Sequence, residues 1–167
     1  MSGKITKNLG RSSGIVASAG GSNDIRFFTR QESPQAISNA SETTLVYDTE
    51  DFDIGGGYNT SDGLYTCPAG AGGLYYMYWQ IKFGSGAGGA NYRSIVYRDP
   101  EGGGSFAEVN RSTGYTGQSQ NIAQAGFWIT LTAGDILKIT VYHTQSSTQS
   151  MYDNDYTTYW GGFKLII

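Results

Sequence analysis

The sequence predicts an all-β protein, an antiparallel sandwich or jelly roll, on the basis of three observations. Glycine and tyrosine are abundant, at 25 and 13 of 167 residues, whereas proline occurs only 3 times. This composition favours strands and tight turns over helices. Short runs of β-branched and aromatic residues recur between turn signals, and no stretch has a helical period. The length suits one domain with a sizeable core.

The strand candidates follow one another from residue 25 to the end of the chain. The clearest lies over Ile136–His143, where Ile139 and Val141 alternate with Lys138 and Thr140. Such alternation is typical of a strand with one buried side. Turns rich in glycine, proline and asparagine separate the candidates. The predicted strands are 25–29, 43–47, 64–66, 74–83, 93–98, 106–110, 127–131, 136–143 and 160–167.

The first 23 residues differ in charge from the remainder. They hold three basic residues and no acidic one, which leaves eight of the 11 basic residues against all 14 acidic residues in the body. Their few apolar side chains cannot offset an ordering entropy of about 1–2 kcal/mol per residue. We therefore predict an arm over 1–23, ordered by docking or else a frayed terminus, before a folded domain over 24–167. The predicted docking residues are Lys4, Ile5, Lys7, Leu9, Arg11, Ile15 and Val16.

Charge and hydropathy exclude several partners. Three basic residues are few for nucleic acid, because affinity rises with the number of phosphates neutralised. They suffice to bias the arm toward an acidic protein surface. No apolar run reaches the length of a membrane span, and the N-terminus lacks a signal-peptide core. We expect synthesis in a cytoplasm, no nucleic-acid partner and no membrane insertion.

No residue pattern in the sequence indicates catalysis. His143 is the only histidine, and we expect neither a histidine-based catalytic triad nor a multi-histidine zinc site within one chain. Cys67 is the only cysteine, so no intrachain disulfide forms. A free cysteine at a strand end behaves as a small hydrophobe more often than as a nucleophile. We expect no enzymatic activity.

The densest acidic cluster lies at residues 48–53. Carboxylates at alternate positions could supply several of the oxygen ligands that Ca²⁺ prefers, although the run lacks the EF-hand pattern. A solvated loop is the favoured interpretation and a calcium site is the alternative; no other cofactor is expected. The calcium candidates are Asp48, Glu50, Asp51 and Asp53.

Three blocks occur in a fixed order. The first contains Tyr58, Asn59, Gly63, Leu64, Tyr65, Thr66, Pro68, Gly73, Tyr75 and Tyr76, the second is 131–135 ending in Gly134-Asp135, and the third contains Tyr159, Gly162, Phe163 and Leu165. Together they resemble the globular head of the C1q/TNF-like family. This resemblance implies a ten-stranded antiparallel jelly roll that assembles as a homotrimer. The corner from Pro68 to Gly73 is longer than in that family, and the collagen stalk is missing.

Residues 4–14 resemble the N-terminal segment of some tailed-phage structural proteins, which can carry interchangeable C1q-like heads. The two resemblances imply a non-enzymatic phage virion protein, assembled in the host cytoplasm and located on the virion surface. Its arm would bind other virion proteins. Its trimeric head would serve as capsid decoration or as a tail fibre adhesin. The alternative is a soluble C1q-like lectin or a cytokine-like ligand for a cell-surface glycan or protein.

Residues 151–160 combine aromatic, acidic and amide side chains. Tyrosine and tryptophan provide large contact areas at low entropic cost, and aspartate and asparagine add directed hydrogen bonds. Such a loop suits recognition of a host surface glycan or protein; the alternative is a turn between core or subunit-interface residues. The candidate recognition residues are Tyr152, Asp153, Asn154, Asp155 and Tyr156.

We also predict which side chains form the core. Seven apolar or aromatic residues of the strand candidates make up this set. Each is predicted to be buried within the domain or at a subunit contact. These residues are Tyr65, Tyr75, Met77, Ile139, Val141, Phe163 and Leu165.

Overall fold

The computed structural model describes residues 24–84, 91–115, 121–151 and 157–165, so the arm and the candidate recognition residues 152–156 lie outside the described part. The described residues form thirteen strands and one 3₁₀ turn at Pro100–Gly102. The strands are β1 Arg26–Arg30, β2 Ala36–Ile37, β3 Thr43–Thr44, β4 Thr49–Ile54, β5 Tyr58–Asn59, β6 Leu64–Thr66, β7 Gly73–Phe83, β8 Asn91–Asp99, β9 Ala107–Tyr115, β10 Asn121–Leu131, β11 Ile136–His143, β12 Gln149–Ser150 and β13 Tyr159–Lys164.

Two antiparallel sheets form the sandwich. One has five strands in the order β10-β7-β13-β1-β4. The other has the order β5-β6-β11-β8-β9, with β3 paired to β11, and β12 pairs separately with β2. The prediction of an all-β antiparallel jelly-roll sandwich is confirmed. Four of the strands are two-residue pairings, which is why the described residues contain more strands than the ten expected.

The core lies between the sheets and is rich in aromatic side chains. Trp160 meets Phe27 and Tyr58 edge to face, with ring centroids 5.2 and 5.6 Å apart. The Trp79 indole Nε1 donates a 2.8 Å hydrogen bond to Ser94 Oγ on the opposite sheet. Of the seven predicted core residues, five are confirmed as fully buried: Tyr65, Tyr75, Met77, Ile139 and Val141.

The predicted burial of Phe163 is wrong for a single chain. On β13, Trp160 and Gly162 face the core, so Phe163 points outward and is 40% exposed. A Cβ atom at Gly162 would meet Met77 Sδ and the Phe27 ring, so glycine permits the close approach of these side chains to β13. Leu165 is half-buried. The other half of the expectation for Phe163, a subunit contact, stays a prediction.

The acidic run at 48–53 is mostly a strand, so the favoured solvated-loop interpretation is wrong. β4 pairs with β1 from Arg26 opposite Ile54 to Arg30 opposite Thr49, with a bulge between Phe28 and Thr29. It is the outermost strand of its sheet. Charged side chains on an edge strand oppose edge-to-edge association, which explains why the strand has so little apolar patterning.

The sandwich has two ends, which we call the base and the distal end. The base holds the first residue of β7 and the last of β13, because Lys164 pairs with Tyr75. The distal end holds the last residue of β7, where Phe83 pairs with Asn121. β7 has 11 residues, so the two ends lie about 33 Å apart at the usual rise of a strand.

Candidate functional site

The outer side of the five-stranded sheet carries an aromatic face. Along β7, Tyr75, Met77 and Trp79 point into the core, so the intervening Tyr76 and Tyr78 point outward. Register across the sheet places aromatic residues of the neighbouring strands beside them. We call this set the aromatic face: Phe28, Phe52, Tyr76, Tyr78, Trp128, Tyr159 and Phe163.

These rings contact one another continuously across the sheet. Tyr76 lies 4.5 Å from Trp128 and 5.7 Å from Phe163, measured between ring centroids. The chain of contacts continues from Tyr76 to Tyr78 at 6.1 Å and from Tyr78 to Phe28 at 6.5 Å. Phe28 then contacts Phe52 at 6.2 Å. The rings therefore form one surface that runs from β10 to β4.

Two glycines allow the tyrosine rings of this surface to lie close to the sheet. A Cβ atom at Gly161 would come within 2.6 Å of the Tyr78 ring, and one at Gly126 would overlap the Tyr76 hydroxyl. Both tyrosines therefore lie over glycine backbone instead of standing away from the sheet. The result is a flat aromatic surface, which suits contact with another broad surface.

Exposure is concentrated on this side of the molecule. Six large apolar side chains of the described residues are exposed, and five of them lie on the outer side of the five-stranded sheet: Phe52, Ile54, Ile122, Trp128 and Phe163. The sixth is Val109 on β9. Contiguous exposed apolar surface of this kind marks interaction sites in soluble proteins.

The outer side of the six-stranded sheet has a different character. Lys138 Nζ lies 4.0 Å from the Phe106 ring centroid, and the Arg93 guanidinium lies 4.0 Å from that of Tyr142. Arg111 Nε donates a 3.0 Å hydrogen bond to Glu108. Cationic groups thus cover the aromatic rings here, so this side meets water in the usual way of an antiparallel sheet.

A groove opens on the aromatic face near the base. Its volume is about 310 Å³, and it lies between the start of β1, the end of β13 and the neighbouring part of β4. Phe52, Tyr78 and Phe163 form its apolar walls, and Arg26 and Lys164 stand among its lining residues. Asp24 also lines the groove, so it combines aromatic walls with charged groups of both signs.

The calcium candidates serve separate partners. Asp48 accepts hydrogen bonds from the Glu32 and Ser33 N–H groups at 2.7 and 3.0 Å. Asp51 accepts one from Arg30 Nε at 2.8 Å, and Asp53 accepts one from the Tyr58 N–H at 2.7 Å, while Glu50 is exposed. Among the described residues, no three His, Cys, Asp or Glu side chains are grouped as a metal site requires.

His143 and Cys67 lie at opposite ends of the sandwich. His143 is fully buried and accepts a hydrogen bond at Nδ1 from the Gln145 N–H, so Nε2 carries the proton and donates to the Ile37 carbonyl at 2.9 Å. Burial raises the pKa of the Cys67 thiol, which lies near the Tyr75 hydroxyl. The two side chains therefore form no nucleophile–base pair. Each is buried and contacts neighbouring groups as a structural residue does.

The Gly134-Asp135 turn of the second block fixes the base. Gly134 has φ of 92°, a conformation that favours glycine. Asp135 is fully buried and accepts hydrogen bonds from the Thr132 and Glu101 N–H groups and from Arg98, at 2.7, 3.0 and 2.7 Å. Burial alone would raise the pKa of Asp135, but these donors hold it below its ordinary value. The motif is thus structural.

The described residues that flank the predicted arm and recognition segment lie at opposite ends. Ile25 accepts a 2.8 Å hydrogen bond from the Lys164 N–H, so the chain enters the sandwich at the base. Met151 pairs with Phe83 at the distal end, and Thr158 bonds to Lys82 there. The flanks of 152–156 are therefore distal. The sequence alone does not show which end of the sandwich each of these flanks occupies, whereas strand register does.

Comparison with solved structures identifies the class of fold. Murine APRIL at pH 8.5 is similar at a TM-score of 0.63 and 15% identity, covering 85% of this chain and 99% of that one. Eiger TNF from S. frugiperda gives a TM-score of 0.64 at 12% identity, covering 86% and 94%. The globular domain of the zebrafish complement 1qA protein gives 0.60 at 13%, covering 85% and 98%.

These similarities define a TNF- and C1q-type sandwich. The C1q/TNF-like jelly roll that the three blocks predict is therefore confirmed. Identities this low establish the shared fold and nothing further. No protein-family model and no curated relative matches the amino-acid sequence. None of the described residues form a helix long and apolar enough to cross a membrane.

Proposed function

We propose that this protein is a non-enzymatic structural protein of a phage virion, in which the N-terminal arm docks on the particle and a trimeric head is displayed outward. The observation that supports this best is the separation of the two ends. The described residues that follow the predicted arm lie at the base, whereas the flanks of the candidate recognition residues lie at the distal end, about 33 Å away along β7.

The aromatic face supports self-association of the head. It is flat, continuous and exposed on one side of the sandwich, so it matches a protein interface better than a solvent-exposed sheet. Placing it between subunits would bury Phe163, Trp128 and Phe52 while leaving both ends free. Light scattering should give about three times 18.0 kDa for the purified chain. A monomer at micromolar concentration would contradict this part of the proposal.

Orientation on the particle provides a direct test. A short epitope tag inserted within the Gly-rich segment 85–90 has distal flanks, whereas the same tag inserted at Gly103 sits in a base loop. Antibody against the tag should bind intact particles with the distal insertion and bind much less with the base insertion. Equal accessibility of the two tags, or absence of the protein from purified particles, would overturn the proposal.

Arm docking is tested by deletion of residues 1–23. The arm has three basic residues and no acid, and its scattered apolar side chains can be buried only against another surface. We expect the truncated head to melt at the temperature of the full chain, to stay trimeric and to be lost from assembled particles. Normal copy number on particles would place the docking surface on the head instead.

A further inference from the structure

We propose that His143 is an acid-sensitive latch at the distal end of the sandwich. In its neutral form it holds residues 144–151, which we call the strap, and on taking up a proton it releases them. The strap runs from the end of β11 through β12 and leads into the candidate recognition residues 152–156. This inference goes beyond the proposed function, because it depends on the head alone and not on what carries the head.

The hydrogen bonds of His143 allow one protonation state of its ring. The Gln145 N–H can only donate, and it lies 3.1 Å from Nδ1, so Nδ1 must be the acceptor. The Ile37 carbonyl can only accept, and it lies 2.9 Å from Nε2, so Nε2 must hold the proton. A second proton at Nδ1 would point at the Gln145 N–H. The bond to the strap therefore requires the neutral imidazole, whereas the bond to β2 survives protonation.

A second proton would also create a buried positive charge. His143 is fully buried, and no carboxylate forms an ion pair with it in the described part of the chain. A buried charge without a partner is costly, and contact of the group with water removes that cost. Water can reach the ring once the strap moves away, so protonation favours the open form.

The titratable side chain that faces His143 is Tyr92, which lies opposite it on β8. The two ring centroids are 5.9 Å apart. Burial raises the pKa of Tyr92, so its hydroxyl carries no charge that could balance an imidazolium. β2 and the strap contain no acidic or basic residue.

The charged side chains of the neighbouring segments lie on the outer sides of the two sheets. Glu42 accepts a 2.9 Å hydrogen bond from the Thr140 hydroxyl. Arg93 covers the ring of Tyr142, which alternates with the inward residues of β11. Lys82 belongs to the outward set of β7. These groups therefore do not compensate a charge on His143, which faces inward.

Two further attachments define which part of the strap should move first. The Thr144 N–H donates a 3.1 Å hydrogen bond to the Asn91 carbonyl, and the Thr144 hydroxyl accepts one from the Asn91 N–H. β12 pairs with β2 from Gln149 opposite Ile37. The Gln145 bond to His143 lies between these attachments. Its loss should loosen residues 145–148 and so alter the strap that precedes the candidate recognition residues.

Amide hydrogen exchange of the wild-type head, followed by NMR, tests the latch directly. The Gln145 N–H should exchange about tenfold faster near pH 5 than near pH 7.5, after correction for the intrinsic rate, because an imidazole takes up its proton between these values. The Lys164 and Leu165 N–H groups at the base should keep their protection. This range lies above the ordinary carboxyl pKa of about 4, so carboxylates are not the cause.

The ring itself provides a second readout. His143 is the only histidine, so a histidine-labelled sample reports on this ring alone. The nitrogen signals should show the Nε2–H form near neutral pH. His143→Asn keeps an acceptor near the position of Nδ1, and His143→Gln keeps a donor near that of Nε2. Neither side chain takes up a proton here, so the acid-dependent exchange of Gln145 should disappear in both variants.

The outcomes decide the proposal without reference to virion incorporation or oligomeric mass. An Nδ1–H or doubly protonated ring in the folded chain at neutral pH would overturn it. So would Gln145 exchange that is no faster in acid, whether or not the ring takes up a proton, or faster exchange that persists in His143→Asn. Where a variant does not fold, the two wild-type measurements decide alone.

Discussion

The two sides of the five-stranded sheet are both rich in aromatic rings, yet their surroundings differ. On the inner side, Phe27, Tyr75, Trp79 and Trp160 are at most 1% exposed beneath the six-stranded sheet. On the outer side, the aromatic face has no covering layer among the described residues, and Trp128 is 59% exposed. The difference shows that aromatic content indicates contact, whereas topology decides whether that contact is with the same chain or with another molecule.

The largest expected effect is on the inner side. Tyr75→Ala should lower the free energy of unfolding by about 3–5 kcal/mol, because it leaves a cavity in the core. It also removes the 2.7 Å hydrogen bond that the Tyr75 hydroxyl donates to the Ala71 carbonyl. Urea unfolding measures the change, with Tyr97→Ala on the solvent side of the other sheet as control. A loss under about 1 kcal/mol would mean that the inner register of β7 is wrong.

Lowering the pH should reduce the free energy of unfolding through Asp135, which lies at the base of the sandwich. The pKa of Asp135 is lowered in the folded chain, so its stabilisation is present above the ordinary carboxyl pKa near 4 and disappears as pH falls through the lowered value. Asp135→Asn should cost about 2–3 kcal/mol at neutral pH, since Arg98 is only partly exposed.

Urea unfolding over a pH series tests this prediction. The variant should lose less stability in acid than the wild type, with a residual slope from Asp48, whose pKa is also lowered. Identical pH dependence in the two proteins would contradict the role given to Asp135. Glu108→Gln, whose carboxylate pairs with Arg111 on an exposed strand, is the control.

Substitutions on the outer side of the five-stranded sheet should weaken subunit association and leave the unfolding of the single chain nearly unchanged. Phe163→Ser removes an exposed ring that contacts Tyr76, so we expect association weakened by about 2 kcal/mol and the unfolding of the separated chain nearly unchanged. Light scattering over a dilution series gives the first quantity, and urea unfolding at the lowest concentration gives the second. A variant whose single chain unfolds more easily but which still assembles would contradict the assignment of Phe163 to association.

The smallest effect is expected on the six-stranded sheet. Lys138→Ala removes a cation that covers the Phe106 and Tyr97 rings, and such exposed contacts contribute about 0.5–1 kcal/mol. Oligomer mass should not change. A change in mass would show that this side also contacts a subunit.

Much of the fold follows from sequence because most strands have apolar alternation between clear turns. The segments 64–66 and 136–143 match β6 and β11 at both ends. The acidic strand β4 was missed, since an edge strand needs little apolar surface and its pairing with β1 is invisible along the chain. The strand predicted over 43–47 shortens to Thr43–Thr44, although the Leu45 N–H still bonds to the Ile139 carbonyl.

The aromatic face could not be derived from the pattern of β7. Tyr75, Tyr76, Met77, Tyr78 and Trp79 are all large and apolar or aromatic, so a period of two cannot show which set faces the core. On β13 the usual signal is reversed, because a glycine faces the core and Phe163 faces out. The one available signal was the run itself, since a strand with aromatic residues on both sides predicts contacts on both sides.

The hydrogen bond between Ile25 and Lys164 has a consequence for engineering. It places the first and last described strands side by side at the base, and the Leu165 N–H bonds to the Leu74 carbonyl beside them. When the first and last strands of a folded domain lie side by side, circular permutation and insertion are tolerated. This head could be grafted into a surface loop of an unrelated scaffold. The two ends of the insert would lie side by side, so the host loop would need to open at only one point.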